Sequence, residues 1–239
     1  MSPKSKVRSS RLPFVSINMA MTVDGKIATA NRAVTTFGSP RDHEHLLTLR
    51  ATADAVMAGA RTVDSAAINL GPGPARFRRL RVKNGLKEYN LRIIVSGSGS
   101  LDLKAEIFKH RFSPIIILTT GRASRTKLGQ LRAIADEVMV FGRHEINFRA
   151  ALHHLHRRWS VRHLLCEGGG ELNDALFRSG LVDELHLTIC PQIIGGRKAP
   201  TIADGRGLLR LTAAMPLQLK SFKRLKNEVF AVFRRVPKR

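Results

Sequence analysis

The stretch Leu164-Leu165-Cys166-Glu167-Gly168-Gly169-Gly170-Glu171-Leu172-Asn173 combines residue types suited to binding an anion. It reads as a short apolar strand, a three-glycine turn and the start of a helix. Glycines let backbone N–H groups approach a ligand that side chains would hold off. The first turn of the following helix adds unpaired N–H donors and positive dipole character, and both favour a pyrophosphate. The same residues would also serve as a plain tight turn. Three further apolar runs end in small or hydroxyl residues: Gly59 with Thr62, Ser96 with Gly97, and Thr119 with Thr120 and Gly121. In a parallel α/β sheet, ligands bind beyond the carboxyl ends of the strands. Convergence of these ends would suit a nucleotide-sized ligand. The GxGxxG dinucleotide fingerprint is not satisfied, so a dinucleotide would bind here in a different fold.

The elements that must position these residues follow from hydrophobic periodicity. Apolar runs predict strands at Phe14–Ala20, Ala55–Gly59, Leu91–Ser96, Pro114–Thr119, Glu137–Phe141, His163–Glu167 and Glu184–Cys190. Between them, helices are expected from Ser39 as N-cap with Pro40 at the first position to about Ala53, over Lys127–Ala135, over Phe148–Trp159 and over about 171–179. Gly71-Pro72-Gly73-Pro74 and the basic residues after it make 69–90 the expected irregular loop. Strands near Leu217–Leu225 and Val229–Val236, with Asn227 in the turn, read as a closing hairpin. Alternating strands and helices predict a mostly parallel α/β sheet covered by helices, with an antiparallel edge. One domain over 13–239, after a basic segment at 1–12, is the simplest organisation.

The chain has 239 residues, 43% of them hydrophobic, enough to bury a sizeable core. Its 41 Lys+Arg against 18 Asp+Glu give a net charge of +23. Such a charge attracts phosphates and polyanions, and it leaves nonspecific nucleic-acid binding open. No aromatic residues are interleaved among the basic ones for base stacking. Neither Cys166 nor Cys190 belongs to a CxxC, which argues against a zinc site or disulfide framework and for reduced thiols. His153 and His156 share a helix face without an acidic or Cys partner, so no metal is expected. His43 and His45 are expected at the surface. No signal peptide or membrane-length apolar run is present, so a cytoplasmic protein is expected. The GxSxG elbow, the GxxxxGK[ST] loop and the HExxH helix are all missing.

Several ordered motifs run from about Pro13 to Val236. They are Asn18-Met19-Ala20-Met21-Thr22-Val23-Asp24-Gly25-Lys26-Ile27-Ala28, Leu49-Arg50-Ala51 with Asp54-Ala55-Val56-Met57-Ala58-Gly59, Thr62-Val63, Glu167-Gly168-Gly169-Gly170, Gly180-Leu181-Val182-Asp183-Glu184, and Pro191-Gln192-Ile193-Ile194-Gly195-Gly196 with Ala199-Pro200-Thr201. With these motifs the chain resembles the riboflavin-pathway reductases, a dihydrofolate-reductase-like family. The deaminase motifs HxE and PCxxC are absent, so the resemblance is to free-standing members. It implies a three-layer α/β/α fold, a homodimer, and NADPH as cofactor. The implied reaction reduces the ribose of a ribosylaminopyrimidine 5′-phosphate to a ribityl chain. By resemblance, Gly59, Thr62, Val63, Ser96, Thr119, Gly168, Gly169, Gly170 and Glu171 would bind NADPH. Asn18, Asp24 and Glu167 would face the substrate, with Glu167 the proton-handling group. Asp24 could instead fix its own turn, and Glu167 could cap the glycine backbone.

One departure matters. Family members follow Thr-Val with two acids and a proline, whereas here Asp64-Ser65-Ala66-Ala67-Ile68-Asn69 follows Thr62-Val63. Alanine cannot accept a hydrogen bond from a sugar or amino group, so discrimination at that point is lost or moved. Arg76 and Arg78 are the expected ligands of the substrate phosphate. A different carbonyl or imine substrate such as a pterin, or a non-enzymatic module that binds RNA, remain alternatives.

Overall fold

The computed structural model describes residues 12–32, 37–65 and 67–236. Most of the expected basic N-terminal segment, Ala66, Lys238 and Arg239 lie outside these residues. The chain runs β1 (Phe14–Thr22), α1 (Pro40–Arg50), β2 (Ala55–Gly59), α2 (Ala60–Ser65), α3 (Ala75–Lys83), β3 (Leu91–Val95), α4 (Glu106–Lys109) and β4 (Ile115–Thr119). It continues through α5 (Arg125–Ile134), β5 (Glu137–Val140), α6 (Phe148–Trp159), β6 (His163–Cys166), α7 (Gly170–Arg178), β7 (Glu184–Cys190), β8 (Leu217–Leu225) and β9 (Glu228–Arg235). Among the described residues, these strands form one sheet in the order β5-β4-β3-β2-β6-β1-β7-β9-β8. The first seven positions are parallel, and β9 and β8 add an antiparallel edge.

Period-two alternation explains the two cores. Val15, Ile17 and Met19 of β1, Leu164 and Cys166 of β6, and Ile93 of β3 face α6 and α7, where Leu152, Leu155, Leu172 and Leu176 pack on them. Val56, Ala58, Ile94, Ile115 and Ile117 face the other way, onto Val63, Leu70, Ile107 and Leu131. Each fully buried Ile or Leu contributes about 1.5–3 kcal/mol relative to exposure. The central strands are covered on both faces, which is why they read as unbroken apolar runs.

The sheet order creates a switch point. β2 leads outward to β3 on one side, while β6, inserted between β2 and β1, leads to β7 beyond β1. The two connections diverge, so a crevice opens at the carboxyl ends of β2 and β6. There the Gly59 N–H donates to the carbonyl of Gly168 at 2.9 Å.

The expected loop at 69–90 is corrected by α3. This helix carries no apolar stripe but is anchored by one apolar and one charged residue four apart, Phe77 and Arg81, both buried. The Arg81 guanidinium donates to the carbonyls of Arg50, Ala53 and Lys87, which closes the end of α1. Burial lowers Arg81 to about 10, still cationic at neutral pH. A helix held by a buried arginine carries no period-3.6 apolar signal to read.

Candidate active site

The crevice is a cleft of ≈ 710 Å³, a size typical of small-molecule sites. Glu167, just past β6, lines it. Arg50, in the last turn of α1, donates Nε to Glu167 Oε1 and Nη2 to Oε2, both at 2.6 Å. Its Nη1 donates to the Gly71 carbonyl at 2.6 Å. Both side chains of the pair are about nine-tenths buried. A bidentate pair of this kind fixes the carboxylate plane and occupies a lone pair on each oxygen. Glu167 is therefore held in one orientation at the cleft.

Gly59, Thr62, Ser96, Gly169, Gly170 and Glu171 line the same cleft. Gly168 lies behind them with φ +80°, a conformation that favours glycine, and the Gly168–Gly169 peptide is cis. Gly169 is the N-cap residue of α7 and makes no side-chain cap, so its helix opens on bare backbone donors. A Cβ on Gly169 would stand 3.6 Å from Thr62 Oγ1, and one on Gly170 would stand 2.5 Å from the Thr201 carbonyl oxygen. The first is ordinary contact and the second a clash with backbone, so Gly170 is the position where only backbone fits.

Other expected site residues fall elsewhere. Val63 is buried in the core behind the cleft, and Thr119 is buried with its hydroxyl unpartnered. Asn18 is buried beside His186 on the neighbouring strand, with its Oδ1 unpartnered. Asp24 holds a turn: Thr22 Oγ1 donates to it at 2.5 Å, and the N–H groups of Ile194 and Gly195 add 3.2 and 2.7 Å contacts. The Thr22 bond, with these amides, holds the Asp24 carboxyl below the usual range. Arg76 and Arg78 do not line the cleft. Arg76 pairs with Glu44, and Arg78 meets Tyr89 and Glu88 on the outer face of α3.

The cleft also holds residues that sequence reasoning did not select. Arg32, Arg61, Arg122, Asp64 and Ser98 line it. Asp64 accepts from the Asp102 N–H at 3.0 Å and so ties α2 to the segment after β3. Arg122 follows Thr119-Thr120-Gly121, a strand end already marked by its small residues, and Thr120 Oγ1 donates to the Gly97 carbonyl at 2.6 Å. Arg50 sat in the Leu49-Arg50-Ala51 motif, but nothing local links it to Glu167.

Helix α1 carries Arg50 and is docked at its other end. Ser39 N and Oγ donate to the two oxygens of buried Glu228 at 2.8 and 2.5 Å. His45, expected at the surface, is half-buried and packs edge-on against Phe230 beside His186. Burial lowers both imidazoles from 6.5, opposed for His45 by Asp42 and for His186 by Glu184. Both bind protons less readily in the folded chain than in the unfolded one. Stability is therefore expected to fall as pH drops below about 6.5. Asp42, raised from 3.8 by burial, stabilises the acid side of its own titration and partly offsets this. The urea midpoint measured between about pH 7 and 5 checks it, and His45→Gln with His186→Gln should flatten the slope.

Burial pushes Cys166 and Cys190 up to about 12. At neutral pH both are protonated and shielded. Native protein is expected to leave Ellman's reagent unreacted, and unfolded protein to release the full colour of both thiols. Among the described residues, no group of three or more His, Cys, Asp or Glu could hold a metal ion. His156 Nδ1 meets the Val161 carbonyl, and His154 meets Glu137. No helix among the described residues is long and apolar enough to cross a membrane.

A mostly parallel sheet with a glycine turn at its switch point defines an α/β protein with its cleft beyond the carboxyl ends of the strands. The chain belongs to the RibD C-terminal domain family, whose sequence pattern matches residues 13–231. It is 34% identical over 198 residues to the 2,5-diamino-6-ribosylamino-4(3H)-pyrimidinone 5′-phosphate reductase of Archaeoglobus fulgidus, covering 83% of this chain and 89% of that one. Two solved structures share the fold. A pyrimidine reductase-like protein from Corynebacterium diphtheriae superposes with a TM-score of 0.76 at 23% identity, covering 95% and 93% of the two chains. Acinetobacter baumannii RibD superposes with a TM-score of 0.74 at 19% identity, covering 94% of this chain and 58% of its own length.

Proposed function

We propose that this chain is an NADPH-dependent reductase of riboflavin biosynthesis. Its substrate would be 2,5-diamino-6-ribosylamino-4(3H)-pyrimidinone 5′-phosphate, whose ribosyl group becomes ribityl. The observation that carries the reading is the cleft itself. A bare-backbone cradle at the start of α7 stands beside a carboxylate fixed in plane by Arg50. The match to the Archaeoglobus reductase over nearly its full length supports the substrate.

NADPH, when bound, supplies a hydride. The protein's task is placement and electrostatics. The backbone of Gly169 and Gly170, with Thr62, would hold the pyrophosphate. Arg122 and Ser98 also line the cleft, where they would grip a 2′-phosphate and favour NADPH over NADH. Glu167 would accept from substrate hydroxyl or amino hydrogens in a fixed direction. Met19, Ile27 and Leu172 give the cleft apolar walls that limit water. β8, exposed along most of its length, presents Leu217, Leu219 and Phe222 to a homodimer, which sedimentation would detect. A biosynthetic role fits the cytoplasm.

The test is rescue of a riboflavin auxotroph together with NADPH oxidation by purified protein on the pyrimidinone substrate. Rescue with turnover supports the reading. NADPH binding without rescue would point to another carbonyl or imine substrate, the alternative raised by Ala66 and Ala67, where the family resemblance implies two acids. Salt-sensitive RNA binding without NADPH binding would reject the enzyme.

A further inference from the structure

We propose that Glu171, Arg61 and Arg32 form an exchangeable anion clamp at the mouth of the cleft, in which the Glu171 carboxylate keeps the place that a ligand phosphate takes on binding. The inference rests on reading the cleft as a site for phosphate-bearing ligands. Three separate segments contribute: Arg32 from the connection after β1, Arg61 from α2, and Glu171 from the first turn of α7. All three residues line the cleft. Arg61 faces both carboxylate oxygens, Nη1 to Oε1 at 3.1 Å and Nη2 to Oε2 at 3.5 Å. Arg32 Nη1 reaches the same Oε1 at 3.7 Å. Among the described residues, neither arginine pairs with any other carboxylate.

The physical case is one of replacement. Two guanidinium groups and a helix N-terminus converge on one point, and each favours an anion there. The side chains are 43% (Arg32), 60% (Arg61) and 61% (Glu171) exposed, so the internal pairs are solvated and weak. A phosphate brings more charge and a third oxygen to the same forks. It also brings binding energy from the rest of its molecule. Glu171 is thus a placeholder that keeps two exposed arginines aimed across the cleft until the ligand arrives.

The dinucleotide pyrophosphate and the substrate 5′-phosphate share this chemistry, and the experiment separates them. NADPH affinity by nicotinamide fluorescence and substrate KM are measured for wild type, Glu171→Gln, Arg61→Ala and Arg32→Ala, with Glu44→Gln as a remote charge control. Glu171→Gln should tighten binding about two- to fivefold, the size of an exposed ion pair. Each arginine variant should weaken it about tenfold. Changes in NADPH affinity assign the clamp to the pyrophosphate, and changes in substrate KM assign it to the 5′-phosphate. Weaker binding in Glu171→Gln, no change in any variant, or an equal gain in Glu44→Gln overturns the clamp. Calorimetry with inorganic pyrophosphate on the same variants reads the clamp even if NADPH does not bind, so the two readings fail separately.

Discussion

Arg50→Ala is expected to destabilise the protein by about 3–5 kcal/mol and to cut turnover about a hundredfold or more. The substitution removes both partners of the Glu167 carboxylate, which is nine-tenths buried, and the donor to the Gly71 carbonyl. A buried charge left without a partner costs more than the pair contributes, because its desolvation is no longer offset. The Arg50 carbonyl, which anchors Arg81 and ties α3 to the end of α1, is backbone and survives the substitution, so the loss stays with the side chain. Arg50→Lys keeps the charge but not the planar fork, and should fall between wild type and alanine in both readouts. A double variant, Arg50→Met with Glu167→Leu, removes both charges together. It should regain most of the stability and none of the turnover, which separates the pair's structural part from its functional one. Denaturant midpoints and saturated turnover measure the two. Native stability and turnover in Arg50→Ala would mean the pair holds neither the fold nor the site.

The parts of this molecule that were legible in the sequence are those whose causes are local. α6 occupies Phe148–Trp159 and β7 occupies Glu184–Cys190, as their periodicities require. The strand-end argument places Gly59, Thr62, Ser96, Gly169, Gly170, Glu171 and Glu167 on one cleft. It works because a parallel sheet puts every carboxyl end on the same edge, whatever the strand order. It fails where a side chain one residue further turns inward. Thr119, the last residue of β4, points into the core; Val63 of α2, which only the family resemblance suggested, does the same.

The less legible parts depend on distant partners, and arginine is the recurring cause. A basic residue reads as surface, yet Arg50, Arg81 and Arg92 are all buried. Arg92 donates to Ser113 and the Ile107 carbonyl and lies 4.2 Å from the Phe112 ring centroid. Burial lowers it to about 10, and it too stays charged. Each of these arginines satisfies buried acceptors, loop and element-end carbonyls or, for Arg50, the Glu167 carboxylate, a role that composition cannot display. The net charge of +23 therefore overstates the basic surface. The middle basic cluster, expected to hold the substrate phosphate, has Arg81 inside and Arg76 and Arg78 engaged with carboxylates and Tyr89.

Gly170→Ala is expected to weaken NADPH binding about tenfold or more and to cost about 1–3 kcal/mol of stability. The new Cβ would meet the Thr201 carbonyl oxygen at 2.5 Å and Asp204 Oδ2 at 3.0 Å. The nearer atom is backbone, and it cannot swing aside as a side chain would. The 201–204 segment is pinned to this spot, since the Asp204 N–H donates to the Gly170 carbonyl at 3.0 Å and Asp204 Oδ1 accepts from Thr201. Relief must come from moving the start of α7, and with it the amides aimed into the cleft. Gly129→Ala provides the contrast. Gly129 is exposed in the middle of α5, and a Cβ there meets nothing within 4 Å. That substitution should stabilise the protein by about 0.5–1 kcal/mol and leave NADPH affinity unchanged. A Gly170→Ala protein that binds NADPH like wild type would place the cofactor away from the glycine turn. Titration of nicotinamide fluorescence in both variants, with thermal midpoints alongside, decides it.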